Sequence, residues 1–447
     1  MPALMEDVRR DWQQQIIGSA SCVLLFLCMV FPTVPKLALL KAFLLAVVLL
    51  AIALEYFTTG RAQLDDRVAL WTLSLTIVGF FFVIRGLLAG NLGASAGLSV
   101  HVLWPAVFTL WMAGLAGRRM LSGVHRTVVV ATLFIGLYGC FYLLTELGIL
   151  PDIGLASTLS FGWELQAFGA HEGYTQMALA GMNSLPFLMP YVMASLALPS
   201  AKPGRERFWQ IVAWTACGFG WFTVLAAGRR ALLLVMFLSP PLILIVRRFQ
   251  PAAERLSNRR SVTAFCLVFA LVMVLLFAGL SSIYDFDLYG VWDHFATSVD
   301  LSAQTADSHA TERRQQVIAL SRGWLDKPLL GAGLGASALG SIRSETTPWA
   351  YELSYLALLF QTGLLGFAAY AAGVCWIFLR GLRIVHEGGQ LAQMMIPMLI
   401  GCSGLLISNA TNPYLAKFDA LWMLFLPLAV VNYRLCGFSN LRNSINR

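Results

Sequence analysis

Apolar stretches long enough to cross a bilayer recur twelve times along this chain, near residues 16–34, 36–55, 68–88, 98–116, 127–149, 175–198, 209–227, 231–246, 263–282, 350–379, 391–410 and 414–433. A helix rises about 1.5 Å per residue, so roughly 20 residues cross ~30 Å of hydrocarbon. So many such stretches exclude a soluble core. The composition agrees: 58% of the 447 residues are hydrophobic, 12% are charged and the mean hydropathy is +0.72, a surface that only lipid satisfies. We expect an all-α polytopic bundle of about 12 transmembrane helices, with residues 1–447 forming one domain that has no internal repeat or low-complexity tract. The first stretch has no small-residue cleavage site and a second follows at once, so it reads as a retained helix.

Charge sets the orientation. With Arg9 and Arg10 in the cytoplasm, the alternate connections carry Arg61 and Arg67; Arg118, Arg119 and Arg126; Lys202, Arg205 and Arg207; Arg247, Arg248, Arg255, Arg259 and Arg260; Arg380 and Arg383; and the tail adds Arg434, Arg442 and Arg447. That side holds 20 of the 31 Lys and Arg but only 9 of the 23 acidic residues, as the positive-inside rule requires. Both termini are expected in the cytoplasm. The formal net charge of +8 is then a matter of membrane orientation, and nucleic acid is not expected as a partner.

Arg229 and Arg230 break the rule, because they fall between spans seven and eight on the outer side. Two guanidiniums at a helix end can snorkel to phospholipid headgroups, or they can bind phosphate oxygens bidentately. One long outer loop, residues 283–349, bears on the choice, since long ordered loops usually carry function. Within it "DSHATERRQQVIALSRGW" has helical spacing: Asp307 or Ser308 as cap, Glu312 in the first turn, and Val317, Leu320 and Trp324 as an apolar face. Arg313 and Arg314 ride on this segment as a second outer arginine pair. An amphipathic helix lying on the bilayer would have the same pattern. The following "KPLLGAGLGASALG" is glycine-rich, but its spacing is not the dinucleotide fingerprint and no strand precedes it. Span ten opens "WAYELSYLALLFQTGLLGF", placing Glu352 in the expected first helical turn, where a carboxylate either favours the helix dipole or faces a polar cavity as a base.

Three segments carry a family resemblance. "TERRQQVIALSRGWLDKPLLGAGLG" followed by "SYLALLFQTGLLG", over residues 311–366, and "GRRALLL" upstream resemble the O-antigen ligase and O-antigen polymerase superfamily of bacterial envelope glycosyltransferases. The motifs cover under a fifth of the chain directly. The resemblance implies a GT-C-like bundle in the bacterial inner membrane, with an active site on the periplasmic side and amphipathic helices in the long loop between spans nine and ten. It implies an undecaprenyl-diphosphate-linked glycan as donor, held by Arg229 and Arg313, with Arg230 and Arg314 as neighbours that add to the diphosphate site. The family histidine falls on Glu352 and the asparagine after it on Leu353. This departure transfers the base role to a carboxylate, which can do the same work if its pKa suits the pH, and it favours polymerase over ligase. The acceptor is then a glycan hydroxyl, or lipid A-core for a ligase, and a chain-length regulator is a candidate partner alongside membrane lipids.

The chemistry implied needs no cofactor. A sugar joined through its anomeric carbon to a diphosphate has its own leaving group; cations must stabilise the departing charge and a base must accept the hydroxyl proton. Metal is not expected, because the six histidines are scattered and Asp285, Asp287 and Asp293 read as a solvated loop face. His171 and His309 are reserve bases, and Tyr351 and Tyr355 are candidate substrate contacts. The eight cysteines lie in spans or near the tail, so no disulfide is expected. Residues 150–174 form a second outer segment with Glu164, His171, Glu172 and Tyr174, either a glycan-contacting rim or an exposed polar loop. The rival class is a lipid-linked glycan flippase, but such transporters gather ionisable groups at the membrane midplane. Here the cations gather at one surface.

Overall fold

The apolar stretches fold as helices because a chain in lipid must satisfy its backbone internally. The computed structural model describes residues 2–59, 64–115, 117–154, 158–161, 167–171, 174–198, 205–257, 259–283, 308–340 and 345–445. Its helices are α1 (Pro2–Val30), α2 (Ala38–Thr59), α3 (Asp66–Leu88), α4 (Ala94–Leu98), α5 (Trp104–Gly114), α6 (Arg118–Glu146), α7 (Leu185–Leu196), α8 (Arg205–Ala227), α9 (Arg230–Arg247), α10 (Ala252–Ser257), α11 (Arg259–Ile283), α12 (Ser308–Asp326), α13 (Ser354–Glu387), α14 (Gly389–Asn409) and α15 (Trp422–Ile445). A π-helical turn, Ser99–Leu103, fuses α4 to α5. Among the described residues nine helices are long and apolar enough to cross a membrane, and Val262–Val272 and Trp422–Gly437 are shorter apolar helices. The protein is a polytopic, helical membrane protein.

The centre of the bundle is α7. Every one of its residues except Ser195 is buried, which suits a segment that is apolar all round. Two glycines let α14 approach it at backbone distance: a Cβ on Gly404 would lie 2.2 Å from the Pro186 carbonyl oxygen, and one on Gly401 2.9 Å from that of Phe187. Leu185, Phe187, Leu188 and Val192 on α7 and Met395, Leu399 and Ile400 on α14 belong to the same buried cluster.

Three expected spans differ at their ends. The window 175–198 is not helical throughout: Tyr174–Ala178 pairs antiparallel with Ala167–His171 as a β-hairpin, a 3₁₀ turn follows at Ala180–Ser184, and α7 starts only at Leu185. Leu179 is extended and Pro186 fixes the helix start, which is where proline fits best. The last span begins at Trp422, not 414, because Pro413 is followed by two 3₁₀ turns, Tyr414–Ala416 and Phe418–Ala420. Helix α13 begins at Ser354, so Glu352 stands two residues ahead of it and not in its first turn.

Within α13 the helix is broken. Gly363 has φ 63° and ψ −172°, a conformation open to glycine alone. The segment 328–336 packs into the break: Ala332 N–H donates to Phe360 O (2.9 Å), Gly333 N–H to Gln361 O (2.8 Å), Leu364 N–H to Pro328 O (2.8 Å) and Leu365 N–H to Leu329 O (3.1 Å). On its other side Leu334 N–H reaches Phe82 O of α3 (3.2 Å), and Arg85 donates from Nη2 to Gly331 O (2.7 Å). A Cβ on Gly335 would sit 2.1 Å from the Gly93 carbonyl carbon. The glycine-rich motif is therefore a backbone wedge between α3 and α13, with no room at these glycines for side chains.

Candidate functional site

The wedge delivers α12 to the start of α13. Arg313, Gln316, Leu320 and Gly323 follow at i, i+3, i+7 and i+10, one face of a helix. Leu320 joins Ala336, Ala338, Tyr351, Ala357 and Phe360 in a small core of its own, packed by Trp324 and Leu353. Burying Leu320 and Phe360 stabilises the docked helix by roughly 1.5–3 kcal/mol each. A Cβ on Gly323 would be 2.5 Å from the Phe360 ring, so glycine sets how closely α12 lies. The buried face thus differs from the one expected: Val317 and Trp324 are half-buried, and the polar Gln316, 1% exposed, lies inside.

Gln316 is inside because it has a partner. Its Oε1 accepts the Glu352 backbone N–H at 3.0 Å, pinning the residue that precedes α13. One turn earlier on α12, Arg313 Nε donates to Glu352 Oε2 at 2.9 Å; the Glu352 side chain is 9% exposed and that of Arg313 33%. A carboxylate that deep needs a cation, and the guanidinium supplies it while keeping part of its fork open to the surroundings. Arg314, one position round the helix, is exposed.

Arg229 is set by a tight turn. Gly228 (φ 59°) ends α8 in the left-handed region, and Arg229, extended at φ −84° and ψ 109°, caps α9 with Arg230 as its first residue. Arg229 Nη1 donates to Asn183 Oδ1 at 3.1 Å, and the Tyr414 hydroxyl lies beside Arg229. Burial pushes the Tyr414 phenol up from its ordinary value, with the nearby Arg229 charge pulling the other way. Two arginines at the N-terminal, positive end of a helix repel its dipole, a cost of about 0.3–1 kcal/mol each that an anion would relieve.

The two arginine positions share one end of the bundle. Tyr355 in the first turn of α13 donates to Leu406 O (2.5 Å) and lies beside Asn409 at the end of α14. Asn409 Oδ1 accepts Leu415 N–H (2.9 Å), next to the Tyr414 that meets Arg229. Glu352, Arg313, Tyr355, Asn409, Tyr414, Arg229 and Asn183 therefore belong to one end of the bundle. Tyr351 turns inward: it is 2% exposed and its hydroxyl accepts the Ala338 N–H at 2.5 Å, with burial raising its pKa.

The other expected residues are only partly placed. His171 ends β1 in register with Tyr174, and His309 is the second residue of α12; their side chains lie outside what the structure describes, as do Glu164, Glu172, residues 284–307 with Asp285, Asp287 and Asp293, and the cap candidate Asp307. Among the described residues no three His, Cys, Asp or Glu gather where a metal could sit. The sequence does not single out Asn183, Gln316 or Tyr414, and it offers Asn409 only as part of a formal glycosylation sequon in the turn after α14. Asn409 is legible in principle as an amide at the end of an apolar window and Asn183 as an amide inside one; Gln316 is not, since only the docking of α12 gives it a partner. Compared with known proteins, the chain matches no family model and no curated protein.

Proposed function

We propose that this protein is a glycosyltransferase of the O-antigen polymerase type, with twelve spans, both termini in the cytoplasm of a bacterium and the site at the periplasmic face of the inner membrane. The observation that carries the reading is the Arg313–Glu352 pair at 2.9 Å, at the same end of the bundle as Arg229. Cations and a carboxylate are what transfer from a lipid diphosphate requires. The donor is an undecaprenyl-diphosphate-linked oligosaccharide whose diphosphate is held by Arg229 and Arg313, with Arg230 and Arg314 nearby. An acceptor glycan hydroxyl attacks the anomeric carbon opposite the diphosphate, Glu352 takes the hydroxyl proton, the new glycosidic bond forms as the bond to the diphosphate oxygen breaks, and the lipid diphosphate leaves on the arginines. The anomeric configuration inverts.

In this reading Arg313 is both the partner of Glu352 and a ligand of the diphosphate, so the pair must open for transfer to proceed. Reconstitution tests the reading: the purified protein is given an undecaprenyl-diphosphate oligosaccharide alone and then with lipid A-core. A product ladder from the donor alone, lost in Arg229→Met, Arg313→Met and Glu352→Gln, is the expected result. Product only with lipid A-core would make the protein a ligase. Movement of the lipid between leaflets without any new bond would make it a flippase and refute the transfer chemistry.

A further inference from the structure

Three unfavourable features converge where the α1–α2 turn meets the α14–α15 turn. Lys41, in the first turn of α2, is buried, donates from Nζ to Phe31 O at 2.5 Å and lies 4.0 Å from Asp419 Oδ2. Asp419 is 2% exposed, and its Oδ1 is buried with no hydrogen-bond partner among the described residues. Thr33, a β-branched residue, is held at φ 57° while its N–H donates to Asp419 Oδ2. Buried ion pairs rarely repay their desolvation, and a β-branched residue in the left-handed region is strained. Such costs persist where the surroundings over-determine a geometry.

What they determine is the path from Asp419 to Tyr414. Ala420 N–H donates to Lys417 O and Lys417 N–H to Tyr414 O, at 3.1 and 3.0 Å, so two consecutive 3₁₀ turns join the residues with little slack. The far end is tied by Leu415 N–H to Asn409 Oδ1. The Asn409 tie cannot by itself stop the turn from pivoting, and the anchor at Asp419 supplies the second point. The geometry points to Lys41 and Asp419 as positioning residues for Arg229: they fix the α14–α15 turn so that the Tyr414 hydroxyl holds the guanidinium in one orientation toward an anionic ligand. The ligand's identity as a lipid diphosphate rests on the functional reading above; the brace itself does not.

The test reads Arg229 directly. Purified full-length protein is treated with the arginine reagent phenylglyoxal, and modification at Arg229 and at the exposed Arg314 is followed by peptide mass spectrometry. The Asp419→Asn and Lys41→Met variants are expected to speed modification of Arg229 several-fold with no change at Arg314. Lys41→Arg, which keeps the charge, should behave as wild type. Tyr414→Phe should match Asp419→Asn, and the double variant should react no faster than either, since both act through one contact. An unchanged Arg229 rate in Asp419→Asn, a uniform rise at both arginines, or additive effects in the double variant would overturn the brace. Undecaprenyl diphosphate is added as a second arm. Protection of Arg229 in wild type supports both conclusions, whereas a brace effect without protection keeps the positioning role and removes the diphosphate.

Discussion

Replacing Gly363 by alanine should be among the most disruptive single-methyl changes this protein can receive. The residue sits at φ 63° and ψ −172° inside α13, a region where an L side chain costs roughly 1–3 kcal/mol. The added Cβ would also lie 2.4 Å from both the carbonyl carbon and oxygen of Leu329 and 2.5 Å from Gly331 N, all backbone atoms that no rotamer can move aside. Relief requires the wedge to withdraw, which stretches the Leu364 N–H bond to Pro328 O and the Leu365 N–H bond to Leu329 O. At about 1 kcal/mol each, their loss brings the total to roughly 3–5 kcal/mol. Gly90 is the control: its φ is 73°, and an added Cβ would meet nothing within 4 Å, so Gly90→Ala should cost only the backbone part, about 1–2 kcal/mol. Thermal unfolding of the two purified variants, with limited proteolysis of residues 308–336, measures the difference. Gly363→Ala should unfold at a clearly lower temperature and expose α12 to protease. Equal midpoints for the two variants would refute the wedge as a tight contact.

Other outcomes follow from the same geometry. Arg313→Met leaves a deeply buried carboxylate without its guanidinium and should destabilise by about 3 kcal/mol, whereas Glu352→Gln leaves a cation that is one-third exposed and should cost about 1 kcal/mol; reversed midpoints in denaturation would contradict the burial asymmetry. Tyr351 and Tyr414 both hold their protons above the ordinary tyrosine value of 10.0, so the stability they contribute is complete below about pH 10 and is lost as pH rises toward their folded-state values. Stability measured across alkaline pH should fall less steeply in Tyr414→Phe, and an unchanged slope would count against its burial. Asn183→Ala removes one acceptor from Arg229 and should raise the KM for a lipid-diphosphate donor while leaving the acceptor KM alone; an equal rise in both would point to general damage.

Much of the scaffold was legible because lipid imposes a single requirement on every span. Arg229 and Arg313 stand out in the sequence because, in the expected orientation, they break a charge rule, and Glu352 because it heads an apolar run; that Arg313 pairs with Glu352 was not legible there. The ends of elements were harder to read. The window 175–198 merges a hairpin strand, a 3₁₀ turn and a short helix, because Met177, Leu179 and Met182 keep its mean hydropathy high across Gln176 and Asn183, and Pro186 decides where helix begins. The glycine-rich motif presented three glycines without saying what they approach. Only α3 and the broken α13, distant in sequence, give Gly331, Gly333 and Gly335 their purpose. Lys41 and Asp419 each lie in or beside an apolar window, and their pairing spans most of the chain, beyond the reach of any local pattern.

The interruption at Gly363 also divides α13 into two parts with different anchorage. As one straight rod, the 34 residues of α13 would measure about 51 Å, far more than the hydrocarbon needs. Leu364–Glu387 alone measures about 36 Å and suffices to cross. Residues 354–365 are tied to the wedge and to α12, whereas the rest of α13 packs in the main bundle, with Ile377, Ile384 and Val385 in its core and Trp71 Nε1 donating to Gly373 O at 3.0 Å. The carboxylate and its guanidinium are thus seated on a short segment whose anchorage is separate from that of the membrane-crossing length.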